Sequence, residues 1–247
     1  MMRHIDLCSG IGGFALGFEW AGLSTPAMFC DIEPWSRKIL AKHWPDVPIE
    51  EDVKVLANEP EKIPAGGRDT ILTAGYPCQP FSQAGKRLGA EDDRHIWPYI
   101  REIVAQKRPA WCVFENVYGH VSMGLDTVLL NLETDGYAAR GFIVPACGVD
   151  APHRRDRVWI VAHPNGIRLQ GCAEEPIQRL THQPRQSVRG GKGNPTFWSA
   201  EPNVGRVAHG IPRRVDRLKG LGNAILPKIA MQIGIAIRQC EASATGQ

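Results

Sequence analysis

Nowhere in the 247 residues does an unbroken apolar run reach the roughly 18 positions that a membrane-crossing helix needs. The chain also lacks any Cys-x-x-Cys pair. Its seven cysteines (Cys8, Cys30, Cys78, Cys112, Cys147, Cys172 and Cys240) are odd in number and far apart, which disfavours both a disulfide framework and a zinc site. There is no internal repeat, and no secretory leader is expected, since Met1-Met2-Arg3-His4-Ile5-Asp6 enters a strand pattern at once. These absences lead us to expect a cytoplasmic protein with no membrane partner and no metal. What is present is ordinary for a globular domain: 43% apolar residues in a length that allows one sizeable domain and a small appendage.

The net charge of +3 conceals a division along the chain. Residues 1–160 carry a net −4 and residues 161–220 a net +6. A basic block of this kind suits a polyanion, because each phosphate neutralised by Lys or Arg releases condensed counterions. The alternative is a solvated basic loop.

Short apolar runs alternate with helix-period segments up to about residue 160, the pattern of an α/β parallel sheet. Strands are predicted near 4–8, 26–31, 69–74, 110–114, 139–145 and 157–162. The spacings of Ile96, Ile100, Ile103 and Val104, and of Val121, Leu125, Val128, Leu129 and Leu132, each build one apolar helical stripe. From about His163 to Gly205 the regularity stops, and Gly, Pro, Gln and Arg dominate a segment with little capacity for a core of its own. Ile225, Ile229, Ile233 and Ile237 then predict a last helix, with Asn223 as its N-cap and Pro227 in its first turn.

Chemistry is concentrated in a few places. In Gly75-Tyr76-Pro77-Cys78-Gln79-Pro80-Phe81-Ser82, a cysteine sits between two prolines directly after a buried strand, so its thiol is displayed instead of packed. Phe114-Glu115-Asn116-Val117 follows another apolar strand, which lets a carboxyl group reach the same end of a parallel sheet as that thiol. Nucleophile and proton carrier are the natural pair. The first strand leads into Asp6-Leu7-Cys8-Ser9-Gly10-Ile11-Gly12-Gly13, where glycines admit a ligand to the backbone and to a helix N-terminus. Gly10, Gly12 and Ala15 fit a dinucleotide fingerprint, with Asp31 or Glu33 placed to hold a ribose hydroxyl. That motif alone suits a nicotinamide cofactor, S-adenosylmethionine or tight helix–strand packing equally well.

The ordered set of glycine loop, Pro-Cys-Gln-Pro-Phe-Ser, Glu-Asn-Val and Arg-Arg-Asp-Arg resembles the DNA (cytosine-5) methyltransferase family over nearly the whole chain. The resemblance implies a Rossmann-like, S-adenosyl-L-methionine-dependent α/β methyltransferase fold. Its sheet would be mixed, mostly parallel and seven-stranded, with a small inserted target-recognition region. Residues 1–162 would be the catalytic and cofactor-binding domain, 163–210 the basic target-recognition region, and 211–247 a segment returning to the catalytic domain. Carried over residue by residue, Asp6, Ser9, Gly10, Ile11 and Gly13 would wrap the methionine moiety. Asp31 would hold the ribose, Ile32 would lie against adenine, Asp52 and Val53 would meet the adenine edge, Pro77 would lie beside the cofactor, and Asn223 and Ala224 would close the methionine end of the pocket. Cys78 would be the nucleophile and Glu115 the carboxyl group facing cytosine N3. Strand alternation after His153-Arg154-Arg155-Asp156-Arg157 would aim Arg155 and Arg157 to one side, at the cytosine carbonyl and that carboxyl.

The implied partner is duplex DNA, contacted by Gln79, by Ser82, Lys86 and Arg87 in a closing loop over 82–89, and by Arg168, Arg189 and Arg206 in the late basic region. A monomer is expected, with a cognate restriction endonuclease as a further partner. Two positions depart from the family pattern: Cys8 replaces an aromatic residue against adenine, for which Phe14 or Ile32 could compensate, and His153 replaces a glutamine. The compressed ending from Ile211 resembles short phage- or prophage-encoded members. Cytosine methylation in tRNA, or a non-catalytic DNA-binding protein on the same scaffold, are the alternatives.

Overall fold

A computed structural model of the chain describes residues 1–77, 96–165 and 223–244. Seven strands form one sheet in the order β3-β2-β1-β4-β5-β7-β6. They are β1 (Met2–Leu7), β2 (Ser24–Cys30), β3 (Ile49–Glu50), β4 (Thr70–Ala74), β5 (Trp111–Val117), β6 (Tyr137–Pro145) and β7 (Asp156–Pro164). β7 alone runs against its neighbours, pairing antiparallel with both β5 and β6, so the sheet is mixed and mostly parallel as expected. The six predicted strands are all present, and the two-residue β3 is the addition.

Both faces of the central strands β1, β4 and β5 are covered, which is why they read as near-continuous apolar runs. One face, carrying Ile5, Leu7, Leu72, Cys112, Phe114 and Val158, packs on α3 (Val53–Asn58), α4 (Trp97–Lys107) and α6 (Leu125–Thr134). The other, carrying Ile71, Trp111, Val113 and Trp159, packs on α1 (Gly13–Trp20) and the last helix, α7 (Pro227–Ala244). α2 (Pro34–His43) covers Phe29 through Leu40. The apolar stripe expected from Val121 to Leu132 is split into α5 (His120–Met123) and α6, because Gly124 between them has extended backbone.

α1 and α7 pack closely through glycine. A Cβ at Gly17 would lie 2.4 Å from the Pro227 carbonyl oxygen, and one at Gly234 would lie 2.9 Å from the Ala21 Cβ. The start of α7 corrects the sequence expectation. Pro227 is its first residue and the Leu226 carbonyl accepts its first hydrogen bonds, from Ile229 and Ala230, so Asn223 is not the N-cap. Ile225, in phase with the isoleucine repeat, precedes the helix and lies instead against Gly13.

Candidate active site

The strand order turns back on itself at β1, with β2 on one side and β4 on the other, and that reversal opens a crevice at the carboxyl ends of the strands. Five chain segments arrive there: the loop after β1, the turns after β2 and β3, the Gly75–Pro77 turn after β4, and the end of β5. β7, being reversed, brings its starting end to the same edge, with Arg157 paired to Val117 and Trp159 to Glu115.

The loop after β1 curls because Cys8, Gly10 and Gly12 have φ of 51°, 55° and 83°. Its three glycines do different things. A side chain on Gly10 would meet nothing within 4 Å, so the backbone there faces open space. Gly12 is needed because Trp44 lies where a Cβ would be, 2.5 Å away, and Gly13 because the Ile225 carbonyl oxygen lies at 2.5 Å. Ser9 is buried, with its hydroxyl donating to the Asp6 and Cys30 carbonyls and accepting from the Cys30 N–H, so it ties the loop to β2. Asp6 lies fully buried beneath the loop; Thr73 donates to its Oδ1, and Oδ2 has no hydrogen-bond partner. Burial first, opposed by that hydrogen bond, pushes the Asp6 carboxyl up to about 8. Thr73 also bonds His4 Nε2, and burial lowers His4 to about 3.

Asp31 sits at the mouth, 8% exposed, and accepts from the N–H groups of Gly10 (2.7 Å) and Glu33 (2.9 Å). Its neighbour Ile32 is 65% exposed, an apolar side chain held at the rim while Arg37 donates to the Asp31 and Ile32 carbonyls. Of the two residues proposed to replace the missing ring at Cys8, Phe14 is therefore the wrong one. It is buried edge-on against Trp159, whereas Ile32 is free to contact a ligand. Asp52 caps α3 by accepting from Lys54 N–H at 2.8 Å. The Val53 side chain is in the core, so only its backbone can face the crevice.

These groups fit an adenosyl sulfonium better than a dinucleotide. The loop N–H groups that would cradle a pyrophosphate are largely spent, Gly10 on Asp31, Gly12 on Ser9 and Ser9 on Cys30. The carboxylates of Asp31, Glu33 and Asp52 crowd the same edge, which repels phosphate and favours a cation with hydroxyl groups. Burial, and then the negative field of Cys30, Asp31, Asp6 and Asp52, pushes the Cys8 thiol well above its ordinary range. The carboxylate at Asp31, the open backbone at Gly10 and the exposed apolar Ile32 are the parts that such a nucleoside requires.

At the other side of the crevice, Glu115 is 8% exposed and its Oε1 lies 2.9 Å from Arg157 Nε. Burial raises its carboxyl to about 7 against the opposing pull of Arg157 and Arg155, which makes it a group that both holds and releases a proton near neutrality. Arg157 thus meets Glu115 as alternation predicts. Arg155, just before β7 with φ of 33°, lies near enough to Glu115 and Arg157 to feel both charges, and its guanidinium also donates to the Ala224 carbonyl at 2.8 Å. It links the edge that bears Glu115 to the segment leading into α7. Asn223, His153 and Pro77 are exposed, and Ile11 is half-buried. Cys78, Gln79, Ser82, Lys86, Arg87, Arg168, Arg189 and Arg206 lie outside the described residues.

Two polar residues that sequence reasoning passed over are Thr73, between Asp6 and His4, and Asn116, whose Nδ2 donates to the Tyr76 carbonyl at 3.1 Å. Asn116 could have been found as a polar residue on a core-facing strand position beside Glu115. Thr73 gave no such signal, since threonine is common in strands.

The chain matches the family model of C-5 cytosine-specific DNA methylase over residues 2–204. It belongs to that family. It is 34% identical over 173 residues to the type II methyltransferase M2.BsuMI of Bacillus subtilis, covering 65% of this chain and 42% of the relative. It is 33% identical over 172 residues to the type II methyltransferase M.NgoBI of Neisseria gonorrhoeae, covering 68% and 52%. The chain thus spans about half the length of these curated relatives. Among solved structures it is similar to Spodoptera frugiperda DNMT2, with a TM-score of 0.59, 20% identity, and coverage of 71% of this chain and 54% of the other. It is also similar to a putative DNA modification methyltransferase encoded within an E. coli prophage, with a TM-score of 0.53, 23% identity and coverage of 66% and 47%. Both likenesses show the fold.

Proposed function

We propose that this protein transfers a methyl group from S-adenosyl-L-methionine to C5 of a cytosine in duplex DNA, the base having swung out of the stack. The observation that carries the reading is the buried carboxyl of Glu115, paired with Arg157 and raised to about 7, on the strand beside the one that leads into Pro77 and Cys78. C5 of cytosine is a weak nucleophile, and the proposed route activates it by addition at C6. The Cys78 thiolate forms the C6–S bond, and the displaced electron pair moves toward N3, where the proton on Glu115 meets it. Arg157 then neutralises the carboxylate left behind. S-adenosyl-L-methionine, when bound, supplies a methyl group made electrophilic by its sulfonium. Loss of the C5 proton, with water as a fair acceptor, lets the C6–S bond break and returns the thiolate, and the N3 proton goes back to the Glu115 carboxylate.

Asp31, the backbone at Gly10 and the side chain of Ile32 would hold the nucleoside part. Asp6, Ser9 and Gly13 serve by shaping the loop rather than by touching it. A base inside a duplex hides the faces that this addition needs, so the target must leave the stack. The late basic block would grip the DNA phosphates. A monomer, and pairing with a restriction endonuclease, belong to the same proposal.

The test is transfer of labelled methyl from S-adenosyl-L-methionine to duplex DNA, with bisulfite sequencing of DNA from expressing cells to read the target. Label in 5-methylcytosine from the wild type and a blank from Cys78→Ser are expected. Label in tRNA but not in DNA, or in neither, would refute the proposal.

A further inference from the structure

We infer that Tyr76 is a positioning residue for the Tyr76–Pro77 peptide that precedes Cys78 in the chain, set in place by a hydrogen bond to the buried His120 and by Asn116, and that it acts on the rate of thiol attack without touching the substrate. The inference rests on the cytosine reaction proposed above. Tyr76 is 3% exposed, and its ring lies among those of Trp97, Phe114 and His120, with centroids 5.5, 6.4 and 5.6 Å away. Its hydroxyl is 3.0 Å from His120 Nε2. Its carbonyl accepts from Asn116 Nδ2, and the Asn116 Oδ1 is in turn held by the Val117 N–H at 2.8 Å. Side chain and main chain of this one residue are therefore anchored to different parts of the β5–α5 segment that bears Glu115.

His120 cannot retreat from its bond. It is fully buried, and a Cβ at Gly124 would lie 2.9 Å from its Cε1, so the imidazole is wedged between Gly124 and the tyrosine. Burial lowers its pKa and keeps it neutral at physiological pH, which suits a fixed hydrogen-bonding partner better than a proton carrier. A phenylalanine would fill the same aromatic space without burying a hydroxyl and an imidazole, whose Nδ1 has no partner here. What the polar pair adds is a fixed height and tilt for the peptide that leads to the nucleophile. Attack at C6 is sensitive to such placement, because a misplacement of about 1 Å can cost on the order of a hundredfold in rate.

The experiment uses the full chain with duplex DNA containing 5-fluorocytosine and S-adenosyl-L-methionine. Cys78 adds to C6 and the methyl group passes to C5, but fluorine cannot leave C5 as a proton does, so the C6–S bond persists and the adduct is counted on a denaturing gel. At saturating DNA and cofactor, Tyr76→Phe should trap about tenfold more slowly than wild type, the worth of one hydrogen bond. Its dissociation constants for DNA and cofactor, and its folded fraction by circular dichroism, should be unchanged. His120→Gln, which restores a donor and an acceptor, should trap faster than His120→Leu. Equal trapping rates for wild type and Tyr76→Phe, or a loss that follows the folded fraction or appears only as weaker binding, would overturn the positioning role. No adduct from wild type would overturn the cytosine reaction itself and this role with it.

Discussion

Replacing Glu115 by glutamine tests the electrostatics of the site without any substrate. Burial raises the Glu115 carboxyl from 4.5 to about 7 in the folded chain. For an acid whose folded pKa lies above its unfolded one, the native state holds the proton more tightly. Stability is then full below about pH 4.5 and falls as pH rises through the window to about 7. At about 1.36 kcal/mol per unit, the ionisation of this one buried group withdraws about 3 kcal/mol between the ends of the window. Glu115→Gln keeps the shape and abolishes the titration. Urea unfolding of both proteins at pH 5 and pH 8 should therefore give a wild type that loses about 3 kcal/mol more than the variant over that interval. Asp6 and Asp31, also raised by burial, contribute to both proteins and cancel in the difference. Methyl transfer should fall by about a hundredfold to ten-thousandfold in the variant, the usual worth of a positioned acid. Stability curves that run parallel would refute the raised pKa, and a variant retaining most of its activity would refute the proton-holding role.

Asp31→Ala removes a carboxylate that accepts two loop N–H groups and is proposed to hold a ribose hydroxyl. Cofactor affinity by calorimetry should weaken by at least about tenfold, since hydrogen bonds to a charged group contribute about 1.5–3 kcal/mol, and an unchanged constant would remove Asp31 from the site. Gly13→Ala would press a methyl group within 2.5 Å of the Ile225 carbonyl oxygen, a backbone neighbour that cannot rotate away. The expected destabilisation in urea is about 1–3 kcal/mol, and a neutral result would show that the segment before α7 moves aside readily.

Much of the fold was legible because buried strands carry their own signal. Thr70–Ala74 and Trp111–Val117 are buried on both faces, mostly apolar at their starts and bounded by turn residues, and they stand close to where the sequence places them. β3, two residues long, has no pattern to detect. The helix start was misplaced because Ile225 repeats in phase with Ile229, while its actual partner is a glycine more than two hundred residues earlier. In the site, Glu115 and Arg157 follow from strand alternation and register. The bond from Arg155 to the Ala224 carbonyl does not, because it joins residues 69 positions apart and starts from a positive φ that no local pattern reports. Glycines are the harder case. Gly10, Gly12 and Gly13 look alike in a sequence motif, yet one faces open space and two make way for Trp44 and Ile225. The polar chain of His4, Thr73 and Asp6 arises from the register of β1 on β4, a pairing between residues some seventy positions apart that no local pattern reports.

The seating of Ile225 on Gly13 has a consequence for how the molecule is made. As a ribosome releases the chain, the Cys8–Gly12 loop emerges some two hundred residues before the wall that leans on it, which includes Ile225. Until then Phe14 and Phe18, which belong to the cluster completed by Ile229 and Ile237, present greasy flanks to the surroundings. A nascent chain is thus sticky before it is competent to hold a nucleoside. Fragments ending ahead of residue 223 should accumulate as aggregates rather than as smaller working proteins.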